Sequence, residues 1–141
     1  MSGFLLDTCA ISEFKKPIPN LGFLTWFARN DERAIYLSAL TIGELRYGIA
    51  LLDQSKKRTE LERWLVSDVI STFGDRVLPI DSDVSDGWGR IRAQARKAGT
   101  SVPVLDALLA ATALTHNLSL VTCNETDFKH TGARVVNPWA A

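Results

Sequence analysis

The chain has 141 residues, 46% of them apolar, which is the usual size of one compact domain with a single sizeable core. Lys plus Arg number 16 and Asp plus Glu number 16, so no global field draws the protein to nucleic acid or to a membrane surface. No apolar run approaches the roughly 20 residues that span a bilayer, and the start of the chain shows no basic leader with a cleavage site, so a soluble, cytoplasmic protein is expected.

The predicted elements alternate. Residues 3–7, from Gly3 to Asp7, form a short continuous apolar run closed by an acid, as in a strand buried on both faces. Pro17 and Pro19 close a first helical turn, and a helix over 21–30 leads to a second strand at 34–37. Helices follow over 41–52 and 56–73, the latter ended by Gly74, then a strand at 77–80 and a helix over 82–98. Gly99 to Pro103 forms a joint before a helix over 104–116, and strands at 118–122 and 134–136 complete the chain. Leu61, Trp64, Leu65 and Ile70 fall on one helical face, as do Val84, Trp88, Ile91 and Ala95. Strands separated by helical crossovers predict an α/β three-layer sandwich, a parallel sheet of about five strands flanked by helices. Without a linker, repeat or low-complexity tract, residues 1–141 read as one domain.

In an open parallel sheet, ligands bind outside the carboxyl ends of the strands, and four acids fall there. Asp7 ends the first strand, Glu44 lies in the first turn after the second, Asp127 follows the strand through Leu120, Val121 and Thr122, and Asp106 opens the helix leading into that strand. Carboxylates brought together repel and raise one another's pKa unless a cation occupies the site. Oxygen ligands select Mg²⁺, with Mn²⁺ as a substitute, and Mg²⁺ bound by one or two carboxylates is suited to phosphodiester chemistry. Each acid also has a structural reading. Thr41 to Glu44 matches a capping box, Asp106 suits a helix dipole, and Asp7 and the segment from Asn124 to Asp127 could cap helices. Asp81, beside Ser82, reads as a helix cap.

The same residues resemble the PIN-domain ribonucleases, specifically the VapC and FitB-type toxins of type II toxin-antitoxin systems. The likeness covers nearly the whole chain and rests on four ordered blocks: Phe4-Leu5-Leu6-Asp7-Thr8 with Ile11-Ser12-Glu13, Leu37 through Ile49 around Glu44, Asp106 through Ala113, and Leu120-Val121-Thr122-Cys123-Asn124 with Asp127-Phe128. The resemblance implies a PIN-like sandwich and Mg²⁺-dependent endonucleolytic cleavage of RNA. It casts Asp7 and Asp106 as metal ligands, with Glu44 and Asp127 completing a catalytic quartet. It also implies a cognate antitoxin and a homodimer. Thr8, Thr122, Asn124 and Arg46 are candidates for orienting the acids or the substrate.

Two positions depart from the family pattern: Cys9 stands where Asn is common and Cys123 where Arg is common. Two cysteines without metal-ligand spacing are expected to be reduced thiols. If the first and fourth strands are neighbours, as the family fold implies, both thiols sit beside the metal site, where oxidation could link them.

Arg90, Arg92, Arg96 and Lys97 near the end of the helix over 82–98 could hold phosphates or serve as ordinary helix-dipole partners. His116 and His130 have no pairing that suggests catalysis. Leu21, Phe23, Leu24, Trp26 and Phe27 read as core packing or as an antitoxin groove, and Trp139 as a subunit contact or a cover for the last strand. Two rival functions remain. A haloacid dehalogenase-type phosphatase would want a second acid where Cys9 stands, and a non-catalytic RNA- or partner-binding module would not need all four acids.

Overall fold

The computed structural model describes residues 3–140. Five parallel strands form the central sheet: β1 (Gly3–Leu6), β2 (Ile35–Ser38), β3 (Val77–Leu78), β4 (Leu118–Val121) and β5 (Val135–Val136), in the order β3-β2-β1-β4-β5. Pro79, with no N–H to donate, stops β3 two residues short of its predicted end. Chain order reverses at β1, which pairs with β2 on one side and β4 on the other. That reversal opens a crevice beyond the carboxyl ends of β1 and β4.

Side chains of each strand alternate between two cores. Leu6, Ile35, Leu37 and Val121 face one side, packed with Phe23, Leu45 and Leu65, while Leu5 and Leu120 face the other with Val84, Leu109 and Phe128. The first layer of helices comprises α1 (Thr8–Glu13), α2 (Leu21–Arg29), α3 (Ala39–Ala50) and α4 (Lys56–Arg63), which continues through a π-helical segment (Trp64–Ile70) into α5 (Ser71–Phe73). The second comprises α6 (Ser82–Lys97), α7 (Val104–Thr115) and α8 (Glu125–Phe128). The expected three-layer sandwich is therefore present. No helix among the described residues is long and apolar enough to cross a membrane.

Several expectations need adjustment. The helix around Glu44 begins at Ala39 rather than residue 41, because the Ser38 hydroxyl already caps it by accepting from Leu40 N at 3.0 Å. The predicted helix over 56–73 runs its full length but is π-wound in the middle, where Leu65 and Val69, four residues apart, are both buried. The aromatic stretch of α2 is largely core: Phe23 is fully buried and Trp26 packs edge-on to Phe4. Trp139 closes the fold from within, stacked on Phe23 at 4.9 Å and donating its indole N–H to Glu13.

Candidate active site

Asp7 follows β1 at the switch point. Its backbone N–H extends the strand pairing by donating to Val121 O, while its carboxylate caps α1, accepting from Thr8 N at 2.7 Å. Thr122, just past β4 and fully buried, donates its hydroxyl to Asp7 Oδ2 at 2.8 Å and accepts from Asn124 N at 3.0 Å. One threonine thus fixes both the acid and the turn leading to α8.

Thr8 performs the equivalent task for Glu44, donating Oγ1 to Oε1 at 2.7 Å. Glu44 is therefore not engaged as a capping box. Thr41, its proposed partner, lies inside α3 with its buried hydroxyl unbonded. Asp106 is the third residue of α7, whose start at Pro103 has no side-chain cap. Burial, then the negative charges of Asp127, Asp7 and Glu44 in that order, push its carboxyl up to about 6. The charges that raise Asp106 are thus those of the other three candidate acids. Asp127 is the most exposed of them, on α8, with its N–H bonded to the Asn124 carbonyl. Asn124 makes no side-chain cap. Asp81 does cap α6 through Val84 N.

Arg46 is engaged elsewhere, with Nη1 3.7 Å from Glu62 on α4. Arg90 pairs with Asp86, and Arg92 stacks on Trp88. Cys9 lies inside the acid shell, its Sγ 3.7 Å from both Asp7 Oδ2 and Thr122 Oγ1 and accepting from Cys123 N at 3.5 Å. Burial pushes the Cys9 thiol up to about 12, with the nearby Asp7 charge acting in the same direction, so it is a poor thiolate at neutral pH. Both cysteines are free thiols.

Among the described residues, no three His, Cys, Asp or Glu side chains are grouped so as to hold a metal between them. The donor set, carboxylates with threonine hydroxyls beside them, fits a hard cation that uses one or two carboxylates and keeps its waters. Beside Glu44 a largely apolar cavity of ≈ 820 Å³ opens between Leu40, Tyr47, Ile80 and Leu105.

Residues 4–134 match the model of the PIN domain family. The chain belongs to that family. Among PIN relatives, it is 36% identical over 135 residues to the VapC ribonuclease Y4jK of Sinorhizobium fredii, covering 96% of each chain. It is 37% identical to the toxin FitB of Neisseria gonorrhoeae, covering 96% of this chain and 97% of that one. The crystal structure of FitAcB from the same organism superposes with a TM-score of 0.93 at 36% identity over 98% of this chain and 99% of that one. A structure of FitAB bound to an IR36 DNA fragment gives 0.91 at 34% identity, over 96% and 95%. PIN membership across this span decides against the haloacid dehalogenase reading.

The buried carboxylate of Glu13 escaped sequence reasoning as a structural tie. It accepts from Trp139 Nε1, Asn20 N and Lys16 Nζ at 2.8 to 3.0 Å. An acid in an otherwise apolar helical face, with Trp139 near the far terminus, was the only signal available.

Proposed function

We propose that this protein is a Mg²⁺-dependent endoribonuclease that acts as the toxin of a toxin-antitoxin pair. The observation that carries the reading is the hydrogen-bonded chain just past the ends of β1 and β4, in which Thr122 holds Asp7 and the next residue, Thr8, holds Glu44; the charges of Asp127, Asp7 and Glu44 acting on Asp106 support it. Relatives named as ribonuclease and toxin over nearly the full chain support the activity, and neighbours solved as FitAB assemblies support a cognate antitoxin. The setting would be the cytoplasm, with a second copy of the chain as partner.

Asp7 and Asp106 would hold the ion. Bound there, Mg²⁺ would supply an activated water and positive charge opposite the charge that develops on the phosphoryl group. Thr122 and Thr8 N fix the Asp7 carboxylate, so its oxygens need no reorganisation as the substrate arrives. Thr8 fixes Glu44 in the same way, leaving Glu44 Oε2 to accept a proton from water. Asp127, exposed at the rim, can orient a second water.

The test is cleavage of single-stranded RNA with Mg²⁺ or Mn²⁺, with Asp7→Ala as control, alongside Mn²⁺ binding measured by calorimetry. RNA ends that appear with the wild type and not with the variant support the reading. Undiminished cleavage by Asp7→Ala overturns the site, and RNA binding without cleavage under any metal favours the non-catalytic module.

A further inference from the structure

We propose that the groove between α1, α3 and Trp64 is a nucleotide subsite: a base of single-stranded RNA stacks on the Trp64 indole while Lys15 holds a phosphate of the same strand. The inference rests on the ribonuclease reading and names where its substrate runs. A cavity of ≈ 220 Å³ is lined by Thr8, Ser12 and Lys15 from α1 and the turn after it, by Glu44 and Gly48 from α3, and by Trp64. Thr8 and Glu44 are the hydrogen-bonded pair of the acid site, so the groove starts at the site itself. Residues 8, 12 and 15 follow one helical face, and Lys15 N still bonds to Ser12 O, which continues that turn beyond α1. Seven residues at about 1.5 Å each put Lys15 roughly 10 Å from Thr8 along the axis, the reach of a neighbouring nucleotide rather than the scissile one.

The charges favour a strand along this path. Four carboxylates repel an RNA backbone, so a strand that reaches them needs cations beside them. Lys15 is exposed and, among the described residues, pairs with no carboxylate, whereas Lys16 is committed to Glu13 at 3.0 Å. Trp64 lines this cavity from a half-buried position, and the exposed Lys15 covers its ring, with Nζ 5.7 Å from the centroid. A base can take the ammonium's place there while the ammonium turns to the phosphate. An aromatic platform beside a cation is how single strands are bound without sequence preference, since every base presents a π-face. Trp64 also opens the π-helical segment, and widened turns of this kind recur at functional sites.

The decisive measurement is binding of a short single-stranded RNA in EDTA, followed by fluorescence anisotropy across a salt series. Trp64→Ala is expected to weaken binding roughly 5- to 150-fold, the worth of one stacked base, while Trp64→Phe retains most of the affinity and controls for folding. Lys15→Gln should reduce the slope of log affinity against log salt by about 0.7, one phosphate contact on a single strand. An abasic nucleotide beside the cleavage site should cost the wild type a similar factor and Trp64→Ala nothing further. Full affinity in Trp64→Ala, or abasic and Ala losses that multiply, overturns the subsite. So does a Trp64→Ala variant that keeps RNA but loses a cognate antitoxin. Wild-type cleavage with unchanged binding in both variants sinks the subsite and leaves the activity standing. Failure of the wild type to cleave, with the binding losses as expected, sinks the activity and leaves the subsite. A wild type that neither binds nor cleaves RNA removes both.

Discussion

Thr122 Oγ1 donates to Asp7 Oδ2 across 2.8 Å, joining the end of β4 to the acid that follows β1. The bond is buried and its acceptor is an acid, so it belongs among the stronger side-chain hydrogen bonds, worth about 1.5–3 kcal/mol. Thr122→Val keeps the shape and removes the hydroxyl, which also frees Asn124 N. We expect Mn²⁺ affinity and RNA cleavage to fall about 10- to 100-fold, the usual cost of losing a residue that orients a metal ligand. Calorimetric titration of Mn²⁺ beside a cleavage assay checks this. Wild-type affinity in the variant would show that Asp7 is held by Thr8 N alone.

Asp106→Asn should have opposite effects on the metal-free protein and on the metal-loaded one. Burial and three neighbouring acids raise this carboxyl to about 6, so the folded state binds its proton more tightly than the unfolded chain does. Above pH 6 the ionised form opposes folding, and as pH falls through 6 towards the ordinary value near 4 that penalty disappears. In EDTA at pH 7.5 the variant should melt about 2–5 °C higher, a gain of about 1 kcal/mol discounted for partial solvation. The advantage should close below pH 5. Added Mn²⁺ should raise the melting temperature of the wild type and not that of the variant. Thermal melts at both pH values, with and without metal, read out each sign.

The placement of the candidate acids was legible because strand ends can be read from apolar runs, and acids beyond them stand out. What the sequence did not disclose was which of two competing local partners each group takes. The spacing from Thr41 to Glu44 suggests a capping box, and only the fold shows Ser38 capping that helix and Glu44 turned to Thr8. The π-helical segment leaves the same apolar stripe as an ordinary helix, since Leu65 and Val69 are buried either way. Arg46 faces Glu62 and Glu13 receives Trp139 from 126 residues away, contacts that depend on how helices dock rather than on spacing.

Gly3 sits where β1 passes close to the backbone just before β2. A Cβ there would stand 2.5 Å from the Ala34 carbonyl oxygen and 3.1 Å from Leu118 Cδ2, with backbone on one side that cannot swing away. Gly3→Ala should therefore destabilise the protein by about 1–3 kcal/mol through overpacking, although no polar contact is lost. Urea unfolding measures it, and an unchanged midpoint would mean that the start of β1 moves freely.

Glu13 is the test of how the end of the chain is secured. Burial would raise its carboxyl, but bonds from Trp139 Nε1, Asn20 N and Lys16 outweigh that and hold it below the usual range. A lowered carboxylate contributes stability above its ordinary pKa near 4.5 and loses it as pH falls through the lower folded value. Glu13→Gln keeps the size but removes the charge that draws three donors, and we expect a loss of about 1.5–3 kcal/mol at pH 7. Trp139→Phe retains the stack on Phe23 and loses the indole bond, so it should cost less. The gap between wild type and Glu13→Gln should narrow in urea melts taken near pH 3, because protonation deprives the wild type of the same charge. A gap that stays constant with pH would assign the loss to packing of the glutamine rather than to the ionised carboxylate.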